Sequence, residues 1–90
     1  MKSPNNEFLI NYPSFFPIKV VGKNCLDLKK SLIHIVLQFD ANFDSSSIET
    51  RFSKNKNYLG LTFTIKAKSL NQLNDLYKAL TAHPMVKFVL

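Results

Sequence analysis

The run from Tyr58 to Lys68 alternates without a fault. Leu59, Leu61, Phe63, Ile65 and Ala67 fall on one side, and Gly60, Thr62, Thr64, Lys66 and Lys68 on the other. A period of two predicts a strand with one buried and one wet face. Phe16 to Gly22 (FPIKVVG) predicts another, with Ile18 and Val20 opposed to Lys19 and Val21. Between them, Cys25 to Phe39 changes period. Leu28, Leu32, Ile35, Val36 and Phe39 share one face of a 3.6-residue wheel, with Asn24 as the expected N-cap and Asp27 favouring the helix start. Asp40 to Ser46 reads as a loop, and Ser47 to Ser53 as a short strand with Ile48, Thr50 and Phe52 on one side. Lys54 to Asn57 is a turn. Ser69 and Gln72 form a capping box that opens a second helix with Leu73, Leu76, Tyr77 and Leu80 on its apolar stripe, stopped at His83-Pro84. Met85 to Leu90 predicts a last strand, with Val86, Phe88 and Leu90 inward.

The order is βαββαβ. Right-handed crossovers fold it into an α+β, ferredoxin-like sandwich: one antiparallel sheet of strand order 4-1-3-2 with both helices on one face. Residues 8–90 form this single domain, and 1–7 (MKSPNNE) are expected to be a disordered, frayed N-terminus. The first helix carries a second apolar stripe, Leu26, Ile33 and Leu37, beyond what one sheet face requires. Phe8 to Tyr12 is the expected cover, tethered beside it, which predicts a monomer or weak homodimer.

Composition adds that ninety residues, nearly half of them apolar, hold one core without disulfides or structural metal. A lone cysteine points to a reducing compartment, and no run suits a signal peptide or a membrane span, so the cytoplasm is expected. Twelve basic against six acidic residues give a net charge of +6, which suits anionic partners in general; the lysines are dispersed rather than blocked, which puts a soluble basic surface ahead of that reading.

The candidate chemistry is sparse. In the turn after the first strand, Gly22-Lys23-Asn24-Cys25, a metal-binding CxxC would need a second cysteine where Leu28 stands. Arg51, the only arginine, lies on another strand, away from the place where an acylphosphatase-like site would use it. Cys25 reads as a buried small hydrophobe rather than a nucleophile, since no base accompanies it. His34 and His83 sit on separate elements without a carboxylate or thiol cluster, which excludes a metal site. No catalytic residue, cofactor or metal ligand is expected. What remains is charge: Lys19, Arg51, Lys66 and Lys87 on the outer sheet face, with Glu49 as its only acid, and Lys23 beside a helix N-terminus. These are the expected anion or partner contacts. RNA-binding domains of this architecture stack bases on aromatic rings at positions that here carry Lys19, Thr62 and Thr64.

Tyr12-Pro13, Phe15, Lys19-Val20-Val21-Gly22, Ser53-Lys54, Asn57-Tyr58, Leu76-Tyr77, Leu80 and the closing His83-Pro84-Met85-Val86-Lys87-Phe88-Val89-Leu90 resemble the YbeD-like family of small uncharacterised bacterial proteins. The resemblance runs from Tyr12 to Leu90. It departs at Asn55-Lys56, where a shorter, glycine-containing hairpin is expected. It implies an ACT-like ferredoxin fold and a bacterial cytosolic setting, and it supplies no reaction. With it, the expectation is a non-catalytic regulatory or interaction module that binds a protein partner or small metabolite. The alternative is weak, sequence-independent nucleic-acid binding through the basic sheet face.

Overall fold

A computed structural model describes residues 13–90. The elements are β1 (Ser14–Lys23), α1 (Leu26–Phe39), β2 (Glu49–Phe52), β3 (Tyr58–Ala67), α2 (Leu70–Thr81) and β4 (Val86–Val89), with a short 3-10 turn at Ser45–Ser47. They form one antiparallel sheet of order β2-β3-β1-β4, which is the expected 4-1-3-2 arrangement read from its other edge. The expected arm from Phe8 to Tyr12 and the frayed start at 1–7 lie outside the described residues.

The core sits between the inner sheet face and the two helices. Ile18 and Val20 of β1 and Leu59, Leu61, Phe63, Ile65 and Ala67 of β3 meet Leu28, Leu32 and Val36 of α1 and Leu73, Leu76 and Leu80 of α2. All are buried, as alternation and helical spacing require. Phe43, from the loop after α1, closes the end of this core with its ring 5.7 Å from that of Phe63.

Pro17 stands inside β1, a central strand, where proline would normally delete a ladder bond. Its position explains the exception. β1 exchanges bonds with the last strand at Lys19, whose N–H donates to Leu90 O at 3.2 Å and whose carbonyl accepts from Leu90 N at 2.7 Å. Pro17 shares the parity of Lys19, so its nitrogen points beyond the end of that pairing, where no ladder bond is due.

Three expectations are corrected. Phe88 and Leu90 face outward, not inward, and Val86 and Val89 take the inner positions. The cause is a register shift: Val21 pairs with Phe88 but Gly22 pairs with Val86, leaving Lys87 as the extra residue of a bulge that reverses the side-chain parity. Cys25, not Asn24, is the N-cap of α1 and makes no side-chain cap bond. Asn24 is drawn instead to the neighbouring hairpin, donating from Nδ2 to Lys56 O at 2.8 Å and from its backbone N–H to Asn57 O at 3.0 Å. The capping box of α2 is half made. Ser69 Oγ accepts from Gln72 N at 3.1 Å, but the Gln72 side chain accepts from Lys68 N and donates to Phe39 O at 2.6 Å, tying α2 to the end of α1.

Candidate functional site: the outer sheet face

The outer face of the sheet is uncovered by either helix. Pairing places Lys19 beside Thr62, Arg51 beside Gly60, Glu49 beside Thr62, Phe15 beside Lys66 and Lys23 beside Tyr58. The cations expected there, Lys19, Arg51, Lys66 and Lys87, therefore share a face with Lys23. They form two groups. Lys66 stands with Phe15 at one end, about 20 Å along β1 from Val21 at a strand's rise per residue. Lys19, Arg51, Lys87 and Lys23 gather at the other end, around Tyr58.

Aromatic side chains stand on this face too, and sequence reasoning missed them. Phe15 is 69 % exposed and Phe88 49 % exposed, and Tyr58 is also exposed. Phe15 precedes the expected start of the first strand, Tyr58 opens β3 at its edge, and the bulge at Lys87 carries Phe88 outward. The one signal available was Tyr58 itself, since the alternation of β3 extends back to it. Val21 and Phe88, paired across β1 and β4, make an apolar floor beside the Tyr58 ring. Lys87 Nζ lies 5.4 Å from the centroid of that ring, a cation–π arrangement.

Three adjoining hollows meet at Tyr58. One of about 430 Å³ is lined by Val21, Ser53, Tyr58, Lys87 and Phe88. A second, about 270 Å³, lies between Lys19 and Arg51 over Gly60. The third, about 470 Å³, runs from Lys23 and Cys25 to Lys56. Among the described residues, five cations line them and no carboxylate does. Glu49, the acid of this face, sits one pleat further along β2 from Arg51.

Carboxylates elsewhere are engaged structurally. Asp40, expected in a loop, is 6 % exposed, and accepts from Lys66 N at 3.0 Å and Asn42 N at 3.3 Å, so it fastens the end of α1 to β3. Asp44 caps the 3-10 turn. The Ser46 hydroxyl at 2.6 Å and then the Ser46 N–H at 2.9 Å hold its carboxyl below the usual aspartate value.

On the helix side, Leu26 is 98 % exposed and Leu37 is exposed, while Ile33 packs partly on the core. His34 and His83, from different elements, line the same hollow as Ile33 and Leu37, about 620 Å³. His83 Nδ1 accepts from Met85 N at 3.1 Å, which gives it a structural part in the turn before β4. Cys25 is half-buried and packs against the core. Among the described residues, no three His, Cys, Asp or Glu side chains gather where a metal would bind, and no helix is long and apolar enough to cross a membrane.

The strand order and the two helices on one face define a ferredoxin-like α+β domain, and its architecture is ACT-like. The ACT domain from a GTP pyrophosphokinase of Chlorobium tepidum is similar in structure, with a TM-score of 0.68 at 18 % identity, covering 84 % of this chain and 94 % of that one. The solution structure of protein HP0495 from H. pylori gives 0.71 at 17 % identity, covering 90 % and 85 %. The sequence then fixes the family. Residues 7–90 match the family described as "Protein of unknown function (DUF493)", and the chain belongs to it. A UPF0250 protein of Bordetella pertussis is 56 % identical over 87 residues, 97 % of this chain and 96 % of that relative. One from Paraburkholderia phymatum is 49 % identical over 88 residues, 98 % and 99 % of the two chains. The YbeD-like resemblance read from the sequence is borne out.

Proposed function

We propose that this protein is a non-catalytic regulatory or interaction module of the cytoplasm, and that it recognises a protein partner or small metabolite through the outer sheet face around Tyr58. One observation carries the reading: Val21, Tyr58 and Phe88 form an apolar cluster on the uncovered face, ringed by cations. Isolated exposed apolar residues are ordinary, but a contiguous group with a polar rim is the anatomy of a recognition surface. Burying a ring of this size against a partner contributes about 1.5–3 kcal/mol. The structural likeness to an ACT domain taken from a larger protein, a GTP pyrophosphokinase, supports the regulatory half of the reading. Against catalysis stands the placement of the reactive groups: neither histidine lines the hollow that Cys25 borders, and both lie on the helix side.

A second reading, sequence-independent nucleic-acid binding, is favoured by the gathering of Lys19, Lys23, Arg51, Lys66 and Lys87 on one face. A steep loss of binding with added salt would mark it.

The test incubates the protein with native cytosol and reads retained proteins and small molecules by native mass spectrometry. Wild type and a Leu37→Ser variant of the helix side should retain the same ligand, and a folded Val21→Ser/Phe88→Ser variant should lose it. Equal retention by all three, or loss from Leu37→Ser alone, would place recognition elsewhere.

A further inference from the structure

Resting on that reading, we propose that the hollows on either side of Tyr58 form a nucleotide site, taking a flat aromatic base on one side and its phosphate on the other. Tyr58, Phe88 and Val21 wall the slot together with Lys87, whose ammonium lies over the Tyr58 ring, 5.4 Å from its centroid. An uncharged planar group satisfies those walls by stacking and apolar contact. Across Tyr58, the neighbouring hollow changes character. Lys19 and Arg51 flank it from adjacent strands, and Gly60 between them leaves the floor open because it has no side chain. A cationic pair with one guanidinium fork suits a phosphate, whose charge and three oxygens match the fork's parallel donors.

Ser53 lines both hollows. Its Oγ accepts from Tyr58 N at 3.0 Å, so the hydroxyl proton remains to be donated to an anion. The slot volume lies within the range of about 300–1,000 Å³ common for small-ligand sites. A carboxylate-bearing ring would use the slot equally well. Among the described residues the lining carries five cations and no carboxylate, which favours the more highly charged phosphate. Two sources carry this chemistry, a free nucleotide and one unit of a single-stranded nucleic acid, and the assay separates them.

The probes are AMP, adenosine, inorganic phosphate and a short oligo-dA strand, titrated by calorimetry and by amide chemical shifts. AMP should bind saturably at about 1 mM or below, more tightly than adenosine or phosphate alone. Shifts should centre on Val21, Ser53, Tyr58, Gly60 and Phe88. Phe88→Ser should weaken AMP about five- to one-hundred-fold, and Arg51→Gln on the order of tenfold, while Lys29→Gln on α1 leaves binding unchanged. Melting curves confirm that each variant is folded. Oligo-dA binding that exceeds AMP per site and falls steeply with salt identifies a strand as the source; AMP binding as tight as the strand's identifies the free nucleotide. Absence of saturable AMP and oligo-dA binding, or equal binding by wild type and Phe88→Ser, overturns the proposal. If a cytosolic ligand is still retained through Phe88 in that case, the nucleotide site fails and the interaction module stands.

Discussion

The two glycines of the sheet should respond to alanine with opposite signs. Neither has a positive φ, so neither is required for backbone conformation, and only space distinguishes them. A Cβ on Gly22 would stand 2.6 Å from Met85 O and 3.0 Å from Leu28 Cδ2. The nearer obstacle is backbone, and it is pinned: Lys23 N donates to Met85 O at 2.9 Å. A methyl group there must push β4 from β1 or break the turn leading into β4. Overpacking of this kind costs about 1–3 kcal/mol, which in a domain of this size lowers the melting temperature by roughly 5–20 °C. On Gly60 the same methyl would meet Lys19 Cε at 3.6 Å and Arg51 O at 3.7 Å, ordinary contact distances. Relative to glycine, alanine in a strand contributes about 0.5–1 kcal/mol through lost unfolded-state freedom, so Gly60→Ala should melt at the wild-type temperature or slightly above. Thermal and urea unfolding of both variants, read by circular dichroism, measure the difference. Trimming Leu28 should not restore Gly22→Ala, because the carbonyl remains. Equal effects at the two sites would refute the steric account of the β1–β4 junction.

Lys56 holds φ at 61°, where a side chain is strained; Lys56→Gly should stabilise the hairpin by up to about 1 kcal/mol, read as a higher urea midpoint, and leave the bond from Asn24 intact because that bond uses the backbone. Cys25→Ser places a good capping oxygen at an N-cap that lacks one, offsetting the lost thiol packing; the expected melting temperature is close to wild type, and a fall of more than about 8 °C would contradict it. Asp40→Ala leaves the Lys66 and Asn42 N–H groups without their acceptor and should cost about 1–3 kcal/mol, with amide exchange at Lys66 accelerating first. Asp44 has a depressed pKa in the folded state, so its contribution to the 3-10 turn is present above the unfolded aspartate value and lost as pH falls through the folded one; a carboxyl titration followed by NMR should show its midpoint below that of an unstructured aspartate, and a midpoint at or above it would refute the Ser46 contacts.

The elements that were legible from the sequence are those whose period nothing interrupts. β3 could be read residue by residue because its alternation runs unbroken from Leu59 to Ala67, and burial follows it throughout. The helix stripes of α1 and α2 were legible for the same reason. Failures occur where a tertiary neighbour outbids a local preference. Asn24 has the chemistry of an N-cap, yet the Lys56 and Asn57 carbonyls lie within its reach and take its donors. Gln72 reaches past the expected partner to Phe39 O, a group contributed by another helix and so invisible in its own segment. Asp40 reads as loop by composition, and only the approach of Lys66 N turns it into a buried anchor. The cations of the site were legible because their strands were, whereas its rings were not.

For Phe88 the difference has a physical origin in the bulge at Lys87. A strand continuing the parity of Val86 would put Phe88 and Leu90 into the core and Val89 outside, which is the pattern the sequence presents. In the fold, Val86 and Val89 both pack inward, and a phenylalanine is left half-exposed on the open face beside Val21 and Tyr58. Among the described residues Phe88 stays about half in water, which forfeits part of the roughly 1.5–3 kcal/mol that burying such a ring contributes. Bulges concentrate where a side chain is re-aimed, and a departure from local consistency is most often found at a functional surface. The same extra residue sets the Lys87 ammonium over Tyr58, so one local irregularity supplies both an apolar wall and a cation to the face. Deleting Lys87 should therefore be informative in a way no point substitution is. With the extra residue gone, Gly22–Val86 and Val21–Phe88 become consecutive pairs of a regular ladder. Phe88 should therefore stay on the open face beside Val21, while Tyr58 loses the cation over its ring. An NMR structure of the variant that placed Phe88 in the core would refute this register.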